Sequence, residues 1–140
     1  MGVIDLERVH WPEKNKYTGG DFDILARRHI FEAGLDYRHG TGHGVGYFLF
    51  CHEGPIGVSR GYKKPWQVGM CVSDEPGYYK DGEFGIRIEN VIMVVNSSKP
   101  DFQTFENLTL CPYERRLIDL ELLSPKDRKF LNEFHVNCKA

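Results

Sequence analysis

The order of elements in this chain is helix, helix, several antiparallel strands, helix, which predicts an α+β fold. Three observations carry that prediction. Apolar residues between 22 and 33 recur at helical spacing; from Leu35 onward glycines, turns and short β-rich runs take over; and helical spacing returns after a Ser-Pro pair near the C-terminus. At 140 residues the chain suits one domain with a real core. It is 41% apolar and 27% charged, as ordinary globular proteins are. A net charge of −2 makes no electrostatic case for nucleic acid or an anionic membrane. No apolar run is long enough to span a bilayer, and the N-terminus lacks a signal-peptide pattern. Met1-Gly2 would suit myristoylation, but Leu6 stands where Ser or Thr is wanted. The cysteines at 51, 71, 111 and 138 form no CxxC pair, which points to scattered thiols in a reducing, cytoplasmic setting. The sequons at Asn96 and Asn107 would matter only in the secretory pathway.

Taken in order, residues 3–10 (VIDLERVH) space Val3, Leu6 and Val9 by three, like the tail of a helix. The polar stretch PEKNKYTGG reads as a linker. Asp21 is then placed to cap a helix whose apolar face is Phe22, Leu25, Ala26, Ile30 and Ala33, with Gly34 as its stop. MCVSDE (70–75) and FGIRIENVIMVV (84–95) are strand-like, and Asp81-Gly82 between them is a hairpin signal. FQTFENLTL (102–110) predicts another strand. In LSPKDRKFLNEFHVNC, Ser124 is the N-cap, Pro125 the first helical residue and Asp127 a first-turn acid; Leu131, Phe134 and Cys138 share one face.

The stretch HGTGHGVG (39–46) sets two histidines four apart, a spacing that on a helix would chelate a metal. Each of its four glycines costs a helix about 1 kcal/mol, so an extended chain is expected. There His39 and His43 stand roughly 13 Å apart at about 3.3 Å per residue, too far to share an ion. The glycines suit close approach of backbone or substrate instead. Downstream, Glu75 precedes the Pro76-Gly77 turn, and Glu89 reads as part of an apolar strand among Ile86, Ile88, Val91 and Ile92. Burying a lone carboxylate is expensive, so Glu89 needs a cation, either Arg87 or a metal. His52 adds another imidazole in HEGP. One imidazole with two carboxylates suits manganese, cobalt or zinc. The plainer alternative is a hydrogen-bonded histidine, a Glu89–Arg87 pair and Glu75 as a turn residue; residue types alone leave both open.

HGTGHGVG, HEGP, DEPGYY and DGEFGIRIENV resemble, in order and spacing, the C-terminal catalytic half of Xaa-Pro aminopeptidases (aminopeptidase P). These belong to the pita-bread metallopeptidases, with prolidase, creatinase and methionine aminopeptidase. The likeness runs from about Leu25 to Cys138, and the tail from Phe105 to His135 is similar to the C-terminal extension of the large eukaryotic-type enzymes. The resemblance implies a partial pita-bread fold, a curved antiparallel sheet with flanking helices. Residues 1–112 would be the C-terminal half of the catalytic domain and 113–140 the extension. It also implies hydrolysis of the N-terminal residue preceding proline, with two divalent ions, usually manganese, activating a shared water. By motif, His43 would be a metal ligand, Glu75 a ligand and general base, and Glu89 the carboxylate bridging both ions. His39 and His52 would orient substrate, and Arg87 would orient the carboxylates.

The family site has five ligands, two of them aspartates on an N-terminal hairpin that has no counterpart in this sequence. Asp5 falls in the first helix, and Asp21 and Asp23 sit where a helix start favours acids. Three ligands can hold at most one ion, manganese by preference with zinc or cobalt as alternatives. The uncovered side of the sheet should expose apolar surface and a strand edge, favouring a homo-oligomer or a complementing N-terminal half. Three readings follow: a portion of a peptidase, active on peptides with proline in second position only when completed; a non-catalytic binding or assembly module; or a lone mononuclear hydrolase, which the ligand count disfavours.

Overall fold

The computed structural model describes residues 1–139; Ala140, the last residue of the expected extension, lies outside the described residues. Its helices are α1 (Gly2–Glu7), α2 (Gly19–Glu32) and α3 (Pro125–Asn137). Its strands are β1 (Trp11–Pro12), β2 (Gly42–Val45), β3 (His52–Val58), β4 (Cys71–Asp74), β5 (Gly77–Lys80), β6 (Phe84–Arg87), β7 (Asn90–Asn96) and β8 (Phe102–Asn107). Six strands form one curled antiparallel sheet in the order β1-β8-β7-β4-β2-β3, and β5 with β6 makes a separate hairpin. The α+β class and the antiparallel sheet with flanking helices are therefore as expected.

The core lies between α1–α2 and one face of the sheet. Leu6, Trp11, Phe22, Ile56, Val58, Trp66, Val72, Ile92, Val94 and Phe105 form a single buried cluster. Trp11, Phe22 and Phe105 meet with ring centroids 4.8–6.1 Å apart, in tilted or edge-on contacts. Along β7 the alternation of buried Asn90, Ile92 and Val94 marks the face turned to this core. β4 is buried on both faces, and its register (Val72 opposite Ile92, Asp74 opposite Asn90) puts Val72 and Asp74 on the core side. Ser73, and Glu75 just past the strand, then face the other way.

Several elements differ from expectation. The run 84–95 is two strands, because the chain turns at Ile88-Glu89 from the β5–β6 hairpin into the main sheet. Glu89 is therefore not inside an apolar strand: it lies in the break, 40% exposed on its side chain, and Ile86 and Ile88 are exposed too. The Asp81-Gly82 hairpin is real, but it joins β6 to β5 rather than to MCVSDE. Helix α2 is capped by Thr18, not Asp21; Asp21 is the N3 member of a capping box, returning bonds to the Thr18 N–H and hydroxyl. Ala33 is exposed rather than part of the buried face, while Gly34 ends the helix with φ +71°. Helix α1 stops at Glu7, β8 at Asn107, and Trp11–Pro12 pairs with β8 where a linker was expected to begin. Helix α3 is capped by Ser124 and Asp127 as the sequence implies, with Leu131 and Phe134 buried.

Candidate metal centre

Within the HGTGHGVG stretch Gly42–Val45 is strand β2, preceded by bends at His39 and Thr41, and its glycines let strands approach closely. A Cβ on Gly42 would overlap the Ser73 carbonyl oxygen, and one on Gly44 the Glu53 carbonyl oxygen. This tight packing sets His43 beside β4, where its backbone N–H donates to Ser73 Oγ at 2.9 Å. Ser73 in turn donates to Glu75 Oε1 at 2.9 Å. The Glu75 N–H donates to the Thr41 carbonyl at 2.7 Å, so the same stretch braces both ends of the site. Behind it, Arg27 pairs with Asp23 at 2.9 Å, and Asp23 accepts the Thr41 hydroxyl. With its single proton so used, Thr41 accepts from the Tyr37 hydroxyl. A chain of bonds thus ties α2 to the Glu75 backbone.

His43, Glu75 and Glu89 converge: one ligand atom from each lies within 4.8 Å of the others. His43 Nε2 is 3.1 Å from Glu75 Oε1. The other ring nitrogen, Nδ1, is 3.0 Å from the Gly44 carbonyl, an acceptor that holds the proton on Nδ1. Nε2 then points a lone pair at a carboxylate, an arrangement that needs a proton or a metal ion between them. Arg87 Nε lies 3.4 Å from Glu89 and 3.9 Å from Glu75, and its positive charge is strengthened by Tyr79 first and Glu89 second. Arg87 is half exposed, so this pair contributes little to stability. One guanidinium against two carboxylates leaves an excess negative charge that favours a further cation. The donor set, one imidazole and two carboxylates partly shielded from water, fits a divalent cation.

The remaining candidate residues divide. His52 stacks on His43 with ring centroids 3.7 Å apart, so it borders the cluster. His39 falls outside it: Nδ1 donates to the Gly40 carbonyl at 2.7 Å, and Nε2 accepts the Tyr79 hydroxyl at 2.8 Å. Both of its nitrogens are thus engaged within the chain, apart from the carboxylate cluster. Ser73 and Tyr79 were not singled out from sequence. Ser73 could have been, since it lies two residues before Glu75 and shares its face; Tyr79 depends on the hairpin's placement and left no such signal. The three aspartates of the N-terminal part are occupied elsewhere: Asp5 with His29 at 2.8 Å, Asp21 in the cap and Asp23 with Arg27.

Comparison with known proteins yields consistent matches. Residues 13–96 match metallopeptidase family M24, and residues 101–140 match the C-terminal region of peptidase M24. A probable Xaa-Pro aminopeptidase P of Pyrenophora teres f. teres is 49% identical over 96% of this chain and 22% of its own length. Xaa-Pro aminopeptidase 1 of Dictyostelium discoideum is 48% identical, again over 96% of the chain and 22% of its own length. This chain thus spans about a fifth of the curated relatives it matches. Among solved structures, the X-prolyl aminopeptidase of Caenorhabditis elegans, described as a cytosolic enzyme with a di-nuclear active site, superposes with a TM-score of 0.91 at 36% identity over 98% of this chain and 23% of that one. The prolidase of Pyrococcus horikoshii gives 0.65 at 31% identity, over 84% and 30%.

Proposed function

The chain belongs to metallopeptidase family M24, and from that premise we propose that it supplies part of a proline-directed aminopeptidase site, with His43, Glu75 and Glu89 holding one divalent ion. Manganese is the preferred ion and zinc or cobalt the alternatives, because carboxylates outnumber the imidazole. When bound, the ion would polarise a scissile carbonyl and lower the pKa of a water. The chain's own groups do the rest. Ser73 orients Glu75 through Oε1, leaving the carboxylate placed to take a proton as general base. Arg87 holds Glu75 and Glu89 toward each other. His52, exposed beside His43, and His39, linked to Tyr79, are read as groups that orient a peptide with proline in second position. Residues 113–140 are read as an extension, and at its start the Tyr113 hydroxyl accepts from Asn90 of the catalytic part at 2.7 Å. Scattered cysteines without a CxxC pair support a cytoplasmic setting.

The observation that carries this reading is the convergence of His43, Glu75 and Glu89 from three separate segments. A second reading, a non-catalytic scaffold, is favoured by one fact: Asp5, Asp21 and Asp23 are each committed elsewhere, so none of these three aspartates joins the cluster. Metal content after equilibration with manganese, together with a peptide assay, separates the two. The proposal expects about one ion per chain, lost in His43→Ala and Glu89→Gln, with release of the first residue from an Xaa-Pro peptide once a relative's preceding half-domain is added. Metal binding without any such release favours the scaffold. No bound metal overturns the site itself, and two ions per chain overturn the ligand count.

A further inference from the structure

His43 and His52 also belong to a second cluster, whose third member, Cys51, the peptidase reading does not use. One ligand atom each from His43, Cys51 and His52 also lie within 4.8 Å of one another. The register of the β2–β3 ladder explains the gathering. It shifts between His43 and Val45, so that Val45 pairs with His52 and the two imidazoles come to the same side. They stack with centroids 3.7 Å apart and planes 31° from parallel. Cys51 is fixed next to them by its carbonyl, which accepts the Gly46 N–H at 2.9 Å. The connecting loop is pinned in turn by Tyr47, whose N–H donates to Glu53 Oε2 at 2.8 Å.

We infer that Cys51, His52 and His43 form a binding site for a soft or borderline metal ion, zinc or copper(I), sharing only His43 with the carboxylate cluster. One thiolate and two imidazoles are the donors such ions select, whereas manganese and magnesium prefer oxygen. Three protein ligands leave a fourth position open to water or a small ligand. His52 and Cys51 are exposed, and the Gly44 carbonyl holds His43 Nδ1 at 3.0 Å, which leaves Nε2 as the His43 ligand atom. Binding deprotonates Cys51, the S–H proton passing to solvent as the metal–sulfur bond forms. The same His43 Nε2 would serve both clusters, so a soft ion on this side withdraws the imidazole from Glu75 and Glu89. That competition rests on the proposed role of His43 at the carboxylate site; the soft-metal site itself does not.

Cobalt(II) titration of the reduced full chain tests this, because cobalt bound to a thiolate shows a near-ultraviolet charge-transfer band that oxygen and nitrogen ligands do not produce. The expected result is a band saturating at one equivalent, bleached by zinc, lost in Cys51→Ser and His52→Ala, and retained in Glu75→Gln and Glu89→Gln. No band in the unaltered chain, or one that survives Cys51→Ser, overturns the inference. Manganese binding in the same variants separates this failure from that of the peptidase reading. If the band holds while manganese does not bind, the soft-metal site stands and the other reading falls; manganese bound without the band gives the reverse.

Discussion

Asp74 and Glu75 are consecutive residues with opposite fates. Strand alternation turns Asp74 into the core, where it is fully buried and, among the described residues, neither carboxyl oxygen has a hydrogen-bond partner. Burial pushes its pKa well above the ordinary value, and nearby Glu7 adds to the effect. Glu75 faces outward to Ser73, His43 and Arg87, partners suited to a charged carboxylate. Glu7, also buried, is pushed up to about 7 by desolvation, against the opposing bonds from Asn90 and Asn107. The sign of the linkage follows: with the folded value raised, the native state holds the extra proton, so this stability is present in full below pH 4.5 and lost as pH rises through about 7. Thermal unfolding across that window should show stability falling with pH, and Glu7→Gln should remove up to about 3 kcal/mol of the fall. An unchanged slope in that variant would remove Glu7 as the source.

At the scale of elements, the site depends on how closely β2 lies against β4. Gly42→Ala would drive its Cβ into the Ser73 carbonyl, and backbone cannot yield there as a flexible side chain could. The variant is expected to lose about 3 kcal/mol in denaturant unfolding and to bind metal more weakly, since His43 and Ser73 move apart. Wild-type stability and metal binding would show that β2 tolerates displacement. Helix α3 was legible because its cap and apolar spacing are local, Ser124–Asp127 closing a box within four residues; α2 was legible from its apolar spacing alone, since its cap is Thr18 and Asp21, expected as the cap, is the N3 partner. The break at Ile88-Glu89 was not legible, because β-branched residues continue on both sides of it, Ile86 and Ile88 before and Val91, Ile92, Val94 and Val95 after. Only the different partners of β6 and β7 divide it. Trp11–Pro12 escaped notice for the same reason, its strand character coming from β8 alone.

Seen as a whole, the molecule buries one face of its sheet under α1 and α2 and leaves apolar groups bare elsewhere. Tyr47, Phe48, Leu49 and Phe50, in the loop between β2 and β3, are 96%, 81%, 75% and 71% exposed. Four consecutive bare side chains at an edge hairpin beside the metal cluster make a sticky surface. Sedimentation velocity is expected to show concentration-dependent association of the chain, reduced by Phe48→Ser with Phe50→Ser; a monomer at all concentrations would remove the loop as an association surface. Residue patterns along the chain were enough for the family, the α+β class and the Ser124 cap of α3, since motifs and helix ends are written in residues near each other. The tertiary structure decided which side chains meet. His43, Glu75 and Glu89 come together, His39 is held aside by Tyr79, and Cys51 and His52 gather around His43, because sheet register and the turn at Ile88-Glu89 arise from pairings between distant segments that local spacing does not encode.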